Sequence, residues 1–226
     1  MQRLVLFDLD HTLLPIDSDY EWGRFLSRIG VVDGPSYEAR NLAFYEQYKA
    51  GTLDIREFMR FSLAPLAGRP MAELDAWRAR YMQEVIEPQI RPQARRLVRE
   101  RLDQGDLVAI VTATNDFVTR PIAGAFGVEH LIGSQCAMVD GRYTGEPAGV
   151  PSFREGKITR TRDWLAGLGR QWADFGEIWF YSDSMNDLPL LKTATNPVAT
   201  NPDPALRTLA QDRGWPVLDL FGQDAG

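Results

Sequence analysis

Three short apolar runs, each closely followed by a polar residue suited to phosphate chemistry, constrain this chain of 226 residues more than any other feature. The runs are residues 4–7, 107–111 and 178–181. An unbroken apolar run of four or five residues is typical of a strand buried on both faces of a parallel sheet. Ligands bind beyond the carboxyl ends of such strands. We therefore expect Asp8, Thr112 and Asp183 to meet at one edge of one sheet.

Helical patterns separate the apolar runs and predict the fold class. From residue 88 onward, strands alternate with helices, which predicts a Rossmann-like α/β core with a parallel sheet and helices on both faces. Asp140-Gly141 suits the tight turn of a hairpin. Within residues 17–87, apolar residues recur at helical spacing and no convincing strand occurs. We predict a core formed by residues 1–16 and 88–226, with an inserted all-helical cap at residues 17–87.

Composition and net charge indicate which kinds of molecule the protein can be expected to bind. The net charge of −6 argues against nucleic acid and against an anionic membrane as the main partner. No apolar stretch approaches the roughly 20 residues that cross a bilayer. A single cysteine, Cys136, excludes an internal disulfide and suits a reducing compartment. These features predict a cytoplasmic protein, and they leave its oligomeric state open.

Four aspartates point to a metal site. If Asp8, Asp10 and Asp183 converge, their charges repel, by about 4 kcal/mol per pair at 4 Å and an effective dielectric constant near 20. A cation would allow all three to stay ionised. The chain has no Cys/His cluster for zinc, and an all-oxygen ligand set favours Mg²⁺. Asp187 lies four residues after Asp183 and is a supporting candidate, so we predict a Mg²⁺ site from these four residues.

Four motifs in sequence order resemble those of the haloacid dehalogenase (HAD) superfamily. Asp8-Leu9-Asp10-His11-Thr12 resembles the first motif, and Thr112, at the end of an apolar strand, resembles the second. Lys157 resembles the third motif, and Asp183 with Asp187 the fourth. The helical insert between the first two motifs is similar to the cap of the subgroup that includes phosphoserine phosphatases.

This resemblance implies a Mg²⁺-dependent phosphatase with defined residue roles. Asp8 is expected to attack phosphorus and to become an aspartyl phosphate. Asp10 is expected to protonate the leaving oxygen and then to activate water, with its main-chain carbonyl on the metal. Lys157 and Mg²⁺ would screen the phosphate charge. Thr112 and Asn186 would bind phosphate oxygens. The fold and the order of the motifs thus predict a phosphomonoesterase with a covalent intermediate.

The cap is expected to choose the substrate, a small phosphorylated metabolite such as phosphoserine or histidinol phosphate. Asp17 falls where phosphoserine phosphatases usually carry a Glu that meets the substrate amine. An alternative is that Asp17 only starts a helix, because Ser18 and Glu21 have the spacing of a capping box. Arg56 and Arg60, four apart on a helix, could bind a substrate carboxylate or remain solvated.

Two other functions remain open at this point. A receiver-like aspartyl-phosphate acceptor also uses Asp, Thr, Lys and Mg²⁺ on a parallel sheet. Receivers, however, carry the acceptor later in the chain and have no helical insert. A metal-dependent nucleotide-sugar transferase would explain Asp8 and Asp10 as a metal-diphosphate motif, but it leaves Thr112, Lys157 and Asp183 without a role.

Overall fold

A computed structural model describes residues 2–222 of the chain. The strands are β1 Leu4–Phe7, β2 Leu107–Asn115, β3 His130–Val139, β4 Arg142–Ala148, β5 Ile178–Ser182, β6 Asn196–Thr200 and β7 Val217–Leu218. The α-helices are α1 Ser18–Arg28, α2 Gly34–Lys49, α3 Ile55–Leu63, α4 Met71–Tyr81, α5 Pro92–Asp103, α6 Asp116–Ala125, α7 Glu155–Gly167, α8 Leu188–Leu191 and α9 Pro204–Arg213. Within the described residues, no helix is both long enough and apolar enough to cross a membrane.

The strands form one sheet in the order β4-β3-β2-β1-β5-β6-β7. Every neighbouring pair is parallel except β3 and β4, which form an antiparallel hairpin. The turn of this hairpin holds Asp140 at φ 49° and Gly141 at φ 73°. Positive φ at both positions is what a type I′ turn requires. The predicted hairpin is confirmed, and so is the parallel α/β sheet.

Alternating side chains on the central strands pack against two separate layers of helices. In β1, Val5 and Phe7 join a cluster with residues of α1, α5 and α6. Leu4 and Leu6 point to the opposite face, into a cluster with residues of α7, α8 and α9. All four side chains are fully buried. Helices on both faces of the sheet are therefore confirmed, and this is why the apolar runs show no alternation.

The segment between β1 and β2 is helical, as predicted, but its helices pack in two different ways. Trp22 of α1 and Tyr81 of α4 belong to the same apolar cluster as the sheet residue Phe7. Helices α2 and α3 instead form a small cluster of their own around Phe44 and Phe61. Residues of α1 and α4 therefore share the apolar core of the sheet. The domain division at residues 17 and 87 remains a prediction.

Candidate active site

The register of the sheet brings the predicted residues to one edge. Phe7 of β1 is paired with Ile110 of β2 on one side and with Tyr181 of β5 on the other. The N–H of Asp8 donates to the carbonyl of Tyr181 at 2.9 Å. Since all three strands are parallel and in step, Asp8 lies between the carboxyl ends of the other two strands. The expected meeting of Asp8 with Thr112 and Asp183 is observed.

The Thr12 hydroxyl joins two of the aspartates. Its Oγ1 lies 3.0 Å from Asp183 Oδ1 and 3.5 Å from Asp8 Oδ2. All three side chains are buried. A hydroxyl has one proton, so it can donate fully to only one of the two carboxylates at a time. The other acceptor is left short of a donor in this buried site, which is a favourable place for a cation.

Lys157 is the buried cation of the site. Its Nζ donates to Asp8 Oδ1 at 2.8 Å and to Asp187 Oδ2 at 2.7 Å, and the lysine is only 2% exposed. Burial alone would lower the pKa of Lys157, but the charges of Asp187 and Asp8 and hydrogen bonds to both raise it above its ordinary value. Ser182 donates a further hydrogen bond to Asp187 at 2.8 Å. Lys157 therefore stays charged beside Asp8.

Asp10 is held by donors from two different elements. The N–H of Ser18 donates to its Oδ1 at 2.8 Å, and the hydroxyl of Thr114 donates to its Oδ2 at 2.8 Å. Burial, followed by the charge of Asp17, raises the pKa of Asp10 to about 6. A carboxyl group with a pKa near neutrality can both give and take a proton, which suits an acid–base role.

The four predicted metal ligands differ in the hydrogen bonds that their carboxylates make. Within residues 2–222, no three or more side chains of Asp, Glu, His or Cys are grouped so that they could hold a metal ion. The carboxylate of Asp10 is directed to Ser18 and Thr114, and Asp187 Oδ2 is occupied by Lys157 and Ser182. The carboxylates of Asp8 and Asp183 share the Thr12 hydroxyl, and the metal-binding role of the four aspartates remains a prediction.

The charges at this edge still fit a divalent cation. Asp8, Asp183 and Asp187 are buried with Lys157, so these four side chains carry two uncompensated negative charges when ionised. Burial and the charges of Asp8 and Asp187 raise the pKa of Asp183 well above its ordinary value. Carboxylate oxygens are the ligands that Mg²⁺ prefers. The donor set around Asp8 and Asp183 is therefore compatible with Mg²⁺.

Besides Lys157, the predicted phosphate-binding residues are Thr112 and Asn186, and these two make different hydrogen bonds. Thr112 is buried at the edge of the site, where its Oγ1 accepts from the N–H of Thr114 at 3.2 Å. Its hydroxyl proton points to no other acceptor among the hydrogen bonds of the described residues. Asn186 is already engaged, because its Oδ1 accepts from Arg154 and its Nδ2 donates to the carbonyl of Tyr48 at 3.1 Å.

A cleft opens from Asp8 toward α1 and α2. Its lining residues are Asp8, Asp10, Asp17, Asp19, Tyr20, Asn41, Phe44, Tyr45, Tyr48, Leu53, Ile55, Phe58, Thr112, Ala113 and Thr114. The rings of Tyr20 and Tyr45 stack at 4.9 Å. The cleft thus brings the predicted catalytic residues together with aromatic rings and two further carboxylates, Asp17 and Asp19.

Asp17 starts helix α1 and also lines the cleft. Its Oδ1 accepts from the N–H groups of Asp19 at 3.0 Å and of Tyr20 at 2.8 Å, so Asp17 is the N-cap of α1. The capping box proposed for Ser18 and Glu21 is wrong, because Ser18 already lies inside the helix. Asp17 also lines the cleft, and burial raises its pKa to about 6. The N-cap position is therefore compatible with a place in the lining of the cleft.

Arg56 and Arg60 do not lie where a carboxylate-binding role would need them. Arg56 donates to the carbonyl of Gly149 at 3.2 Å, and Arg60 pairs with Glu146 at 3.1 Å. Both contacts are exposed, and neither arginine is among the residues lining the cleft. The two side chains join α3 to the β3–β4 hairpin, which explains their spacing without a ligand.

Several contributing residues were missed from the sequence. Thr12 and Thr114 both place hydroxyls on carboxylates of the site, but the sequence does not reveal these partners. Asp19 is buried, and Asn115 donates to its Oδ1 at 3.4 Å. Tyr45 lines the cleft, and its hydroxyl lies 3.3 Å from His11 Nε2.

Comparison with known proteins agrees with this geometry. The model of the haloacid dehalogenase-like hydrolases matches residues 5–192. The histidinol-phosphatase of Neisseria meningitidis serogroup C (strain 8013) is 45% identical over 221 residues, 97% of this chain and 100% of that protein. Phosphoserine phosphatase SerB1 of Mycobacterium tuberculosis (strain ATCC 25618 / H37Rv) is 32% identical over 217 residues, 95% of this chain and 70% of that protein.

A solved structure extends the match to the whole fold. The crystal structure of a protein with unknown function from Bordetella pertussis Tohama I has 53% sequence identity and a TM-score of 0.93. The match covers 98% of this chain and 100% of that chain. Together with the four motifs at one sheet edge, these matches show that the chain belongs to the haloacid dehalogenase-like hydrolase family.

Proposed function

We propose that this hydrolase is a phosphatase that removes the phosphoryl group from histidinol phosphate, a small metabolite, and that it does so in the cytoplasm. The phosphatase class agrees with the named activities of both relatives, one of which is a histidinol-phosphatase. The observation that carries the substrate assignment is the wall of the cleft, where carboxylates and aromatic rings occur together. The receiver and transferase alternatives find no support in these relatives.

The cleft wall suits a substrate with a positive charge and a flat ring. Asp17 and Asp19 supply negative charge, and Tyr20 stacked on Tyr45 supplies an aromatic face. Histidinol phosphate carries an ammonium group and an imidazole ring, which can pair with these two features. Phosphoserine carries an ammonium group too, but it adds a carboxylate.

That additional carboxylate separates the two candidate substrates. The residues lining the cleft include no arginine and no lysine, so a substrate carboxylate would enter without a cationic partner. It would also face the charges of Asp17 and Asp19. Burying an unpaired charge is costly. Arg56 and Arg60, which could have offset it, are engaged elsewhere on the surface. Histidinol phosphate is therefore favoured over phosphoserine.

The residues around Asp8 suit transfer of a phosphoryl group to its carboxylate. Lys157 lies against Asp8 Oδ1 and would screen the approach of the carboxylate to the phosphate dianion. Asp8 would form the aspartyl phosphate, and the alcohol would leave with a proton from Asp10. Asp10 would then take a proton from the water that hydrolyses the acyl phosphate. Thr112 would donate its hydroxyl to a phosphate oxygen.

Mg²⁺ is part of the proposal. The carboxylates of Asp8 and Asp183 would hold it, with the main-chain carbonyl of Asp10 as the resemblance to the family implies. When bound, the ion would supply positive charge at the phosphate oxygens. Asp187 would contribute indirectly, because it fixes Lys157 through the hydrogen bond at 2.7 Å.

A panel of phosphate esters tests the proposed substrate. We expect kcat/KM for histidinol phosphate to exceed that for phosphoserine by about 100-fold or more, since an unpaired buried charge costs several kcal/mol. Phosphate release would be measured with purified protein, with Mg²⁺ and with a chelator. Equal kcat/KM values for the two esters would contradict the substrate assignment, and no release from any ester would contradict the phosphatase itself.

Asp19 provides the sharpest test of recognition by the cleft wall. Asp19→Asn keeps the shape of the side chain but removes its charge, so we expect KM for histidinol phosphate to rise by about 10- to 100-fold. Turnover of p-nitrophenyl phosphate, which has no ammonium group, should change less than about 2-fold by the same reasoning. Burial and the charges of Asp17 and Asp10 raise the pKa of Asp19 well above its ordinary value. The substitution should therefore leave the protein at least as stable as before.

Glu21→Gln is the matched control for Asp19→Asn. Glu21 lies on the first turns of the same helix, but it pairs with Arg24 at 3.0 Å and is not among the residues lining the cleft. Its substitution removes the same charge and should leave KM for both esters unchanged. If Glu21→Gln and Asp19→Asn raise KM equally, the effect is general electrostatics and Asp19 has no specific role in recognition.

Stabilisation by Mg²⁺ should depend on pH. Burial raises the pKa of Asp187 to about 6, against a partial lowering by Lys157, and that of Asp183 lies well above its ordinary value. Below about 6 Asp187 holds a proton, and the raised pKa of Asp183 means that acid also favours a proton over a cation at that carboxyl. We expect Mg²⁺ at about 100 times its Kd to raise Tm by about 5 °C near pH 7.5. The shift should be much smaller near pH 5.

Thermal unfolding followed by fluorescence would measure this difference without any assay of turnover. Asp183→Asn should abolish the shift at both pH values, because it removes one of the two proposed side-chain ligands. A shift that is the same at both pH values, or that survives in Asp183→Asn, would place the ion elsewhere on the protein.

A further inference from the structure

Arg154 adopts a backbone conformation that is unfavourable for a residue with a side chain. Its φ is 51° and its ψ is −122°, immediately before the first turn of α7, which carries Lys157. Only glycine adopts such a conformation without strain. Strained residues of this kind persist where the surrounding structure holds them, and they concentrate at functional sites. The side chain of Arg154 should therefore do something that glycine at this position could not.

The guanidinium of Arg154 bridges two parts of the molecule. Its Nη2 donates to the carbonyl of Gly51, just beyond the C-terminal end of α2, at 2.5 Å. Nε and Nη2 also donate to Asn186 Oδ1 at 3.3 and 3.1 Å. Carbonyls at the end of a helix lack partners within the helix and attract cations. Arg154 thus joins the end of α2 to the fourth motif.

These contacts fix the orientation of the Asn186 amide. A guanidinium has only donors, so the side of the amide that faces Arg154 must be the oxygen. The nitrogen then lies on the other side, where one of its two hydrogens is donated to the carbonyl of Tyr48 at 3.1 Å. The second hydrogen remains for another acceptor. Gly51 itself has a φ of 69°, a conformation that favours glycine at the end of a helix.

We propose that Arg154 is a positioning residue that acts through Asn186. This proposal rests on the phosphatase function proposed above. It orients the amide so that the free N–H of Asn186 is presented to a substrate phosphate oxygen. It does so only while the C-terminal end of α2 is docked, since the same guanidinium holds Gly51. The position of α2, whose residues Phe44, Tyr45 and Tyr48 line the cleft, is thereby coupled to phosphate binding.

A double-mutant cycle tests whether Arg154 acts through Asn186. Arg154→Gly removes the side chain and suits the backbone, and we expect kcat/KM for p-nitrophenyl phosphate to fall by about 10- to 100-fold. In the Asn186→Ala background the same change should cost less than about 3-fold, because the residue it positions is gone. Arg154→Lys keeps the positive charge but lacks the several N–H donors of a guanidinium. It should give an intermediate loss of kcat/KM. An equal loss from Arg154→Gly in both backgrounds would overturn the proposal.

Hydrogen exchange separates this proposal from the phosphatase function. In Arg154→Gly, the amides of Ala50, Gly51 and Thr52 should exchange about 10-fold faster, because α2 has lost its tie to the fourth motif. Asp140→Gly relieves a positive φ in the exposed hairpin turn and is the control for strain alone. It should change neither exchange at α2 nor turnover. Unchanged exchange in Arg154→Gly would overturn the tie, whether or not any phosphate ester is hydrolysed.

Discussion

Asp8→Asn is expected to reduce turnover of histidinol phosphate and of p-nitrophenyl phosphate by about 10⁴-fold or more, which corresponds to about 5 kcal/mol. The amide has nearly the shape of the carboxylate, but it cannot attack phosphorus to form the covalent intermediate. Asp8 also accepts a hydrogen bond from Lys157 at 2.8 Å, and an amide oxygen can still accept it. The fold should therefore survive, and the loss should be in kcat. Circular dichroism and steady-state kinetics on the same preparation would measure both.

Asp106→Asn is the matched control for Asp8→Asn. Asp106 is also buried and also pairs with a cation, Arg3, at 2.7 Å, but it precedes β2 and so lies at the opposite edge of the sheet. Its substitution should lower stability and leave turnover near that of the unmodified protein. If Asp8→Asn keeps more than about a tenth of the original turnover, Asp8 is not the nucleophile. If the two substitutions reduce turnover equally, the effect of Asp8→Asn is structural.

The edge of the sheet could be predicted because the strands are short and buried on both faces. All residues from Leu4 to Phe7 are buried, so the strand can be identified without knowing which face of the sheet each side chain points to. Three such strands in parallel bring their carboxyl ends together. The positions of Asp8, Thr112 and Asp183 follow from that alone. The hairpin at Asp140 could be predicted for a similar local reason, since its turn depends on two adjacent residues.

The directions of the side chains at that edge depend on residues far away in the chain. Asp10 is turned toward Thr114, which lies 104 residues later, and Asp187 toward Lys157, which lies 30 residues earlier. Spacing along a strand or helix carries no information on such partners. The metal-binding role of the four aspartates therefore remains a prediction, and the contact of Arg56 with the carbonyl of Gly149, 93 residues later, could not be read from the sequence either.

Cap packing shows the same limit on a larger scale. The periodicity of α1 to α4 identifies helices but does not say which apolar cluster each helix joins. Trp22 of α1 is packed with the sheet, whereas Phe44 of α2 is packed with α3. The two-residue strand β7 was also beyond prediction, because Val217 and Leu218 pair with β6 only once the sheet exists.

Lys157→Met should have the second largest effect, on both stability and turnover. The lysine is 2% exposed and neutralises part of the charge of Asp8 and Asp187. Removing one partner of a buried ion pair leaves the other charge uncompensated, which costs about 3–5 kcal/mol of unfolding free energy. Without the ammonium group, Asp8 also approaches a phosphate dianion unscreened, so we expect kcat to fall by about 10³-fold, or roughly 4 kcal/mol. Denaturant unfolding and kinetics would measure the two losses separately.

Adding Asp187→Asn to Lys157→Met should separate the structural contribution from the chemical one. Asp187 Oδ2 accepts from both Lys157 and Ser182, so a neutral amide at this position removes the uncompensated charge and can still accept from Ser182. The double variant should recover about half or more of the lost stability, while kcat stays low because no cation faces Asp8. Lys192→Met, which removes an exposed lysine, should leave both quantities unchanged. If kcat recovers together with stability in the double variant, Lys157 supports the fold of the site and does not screen the phosphate.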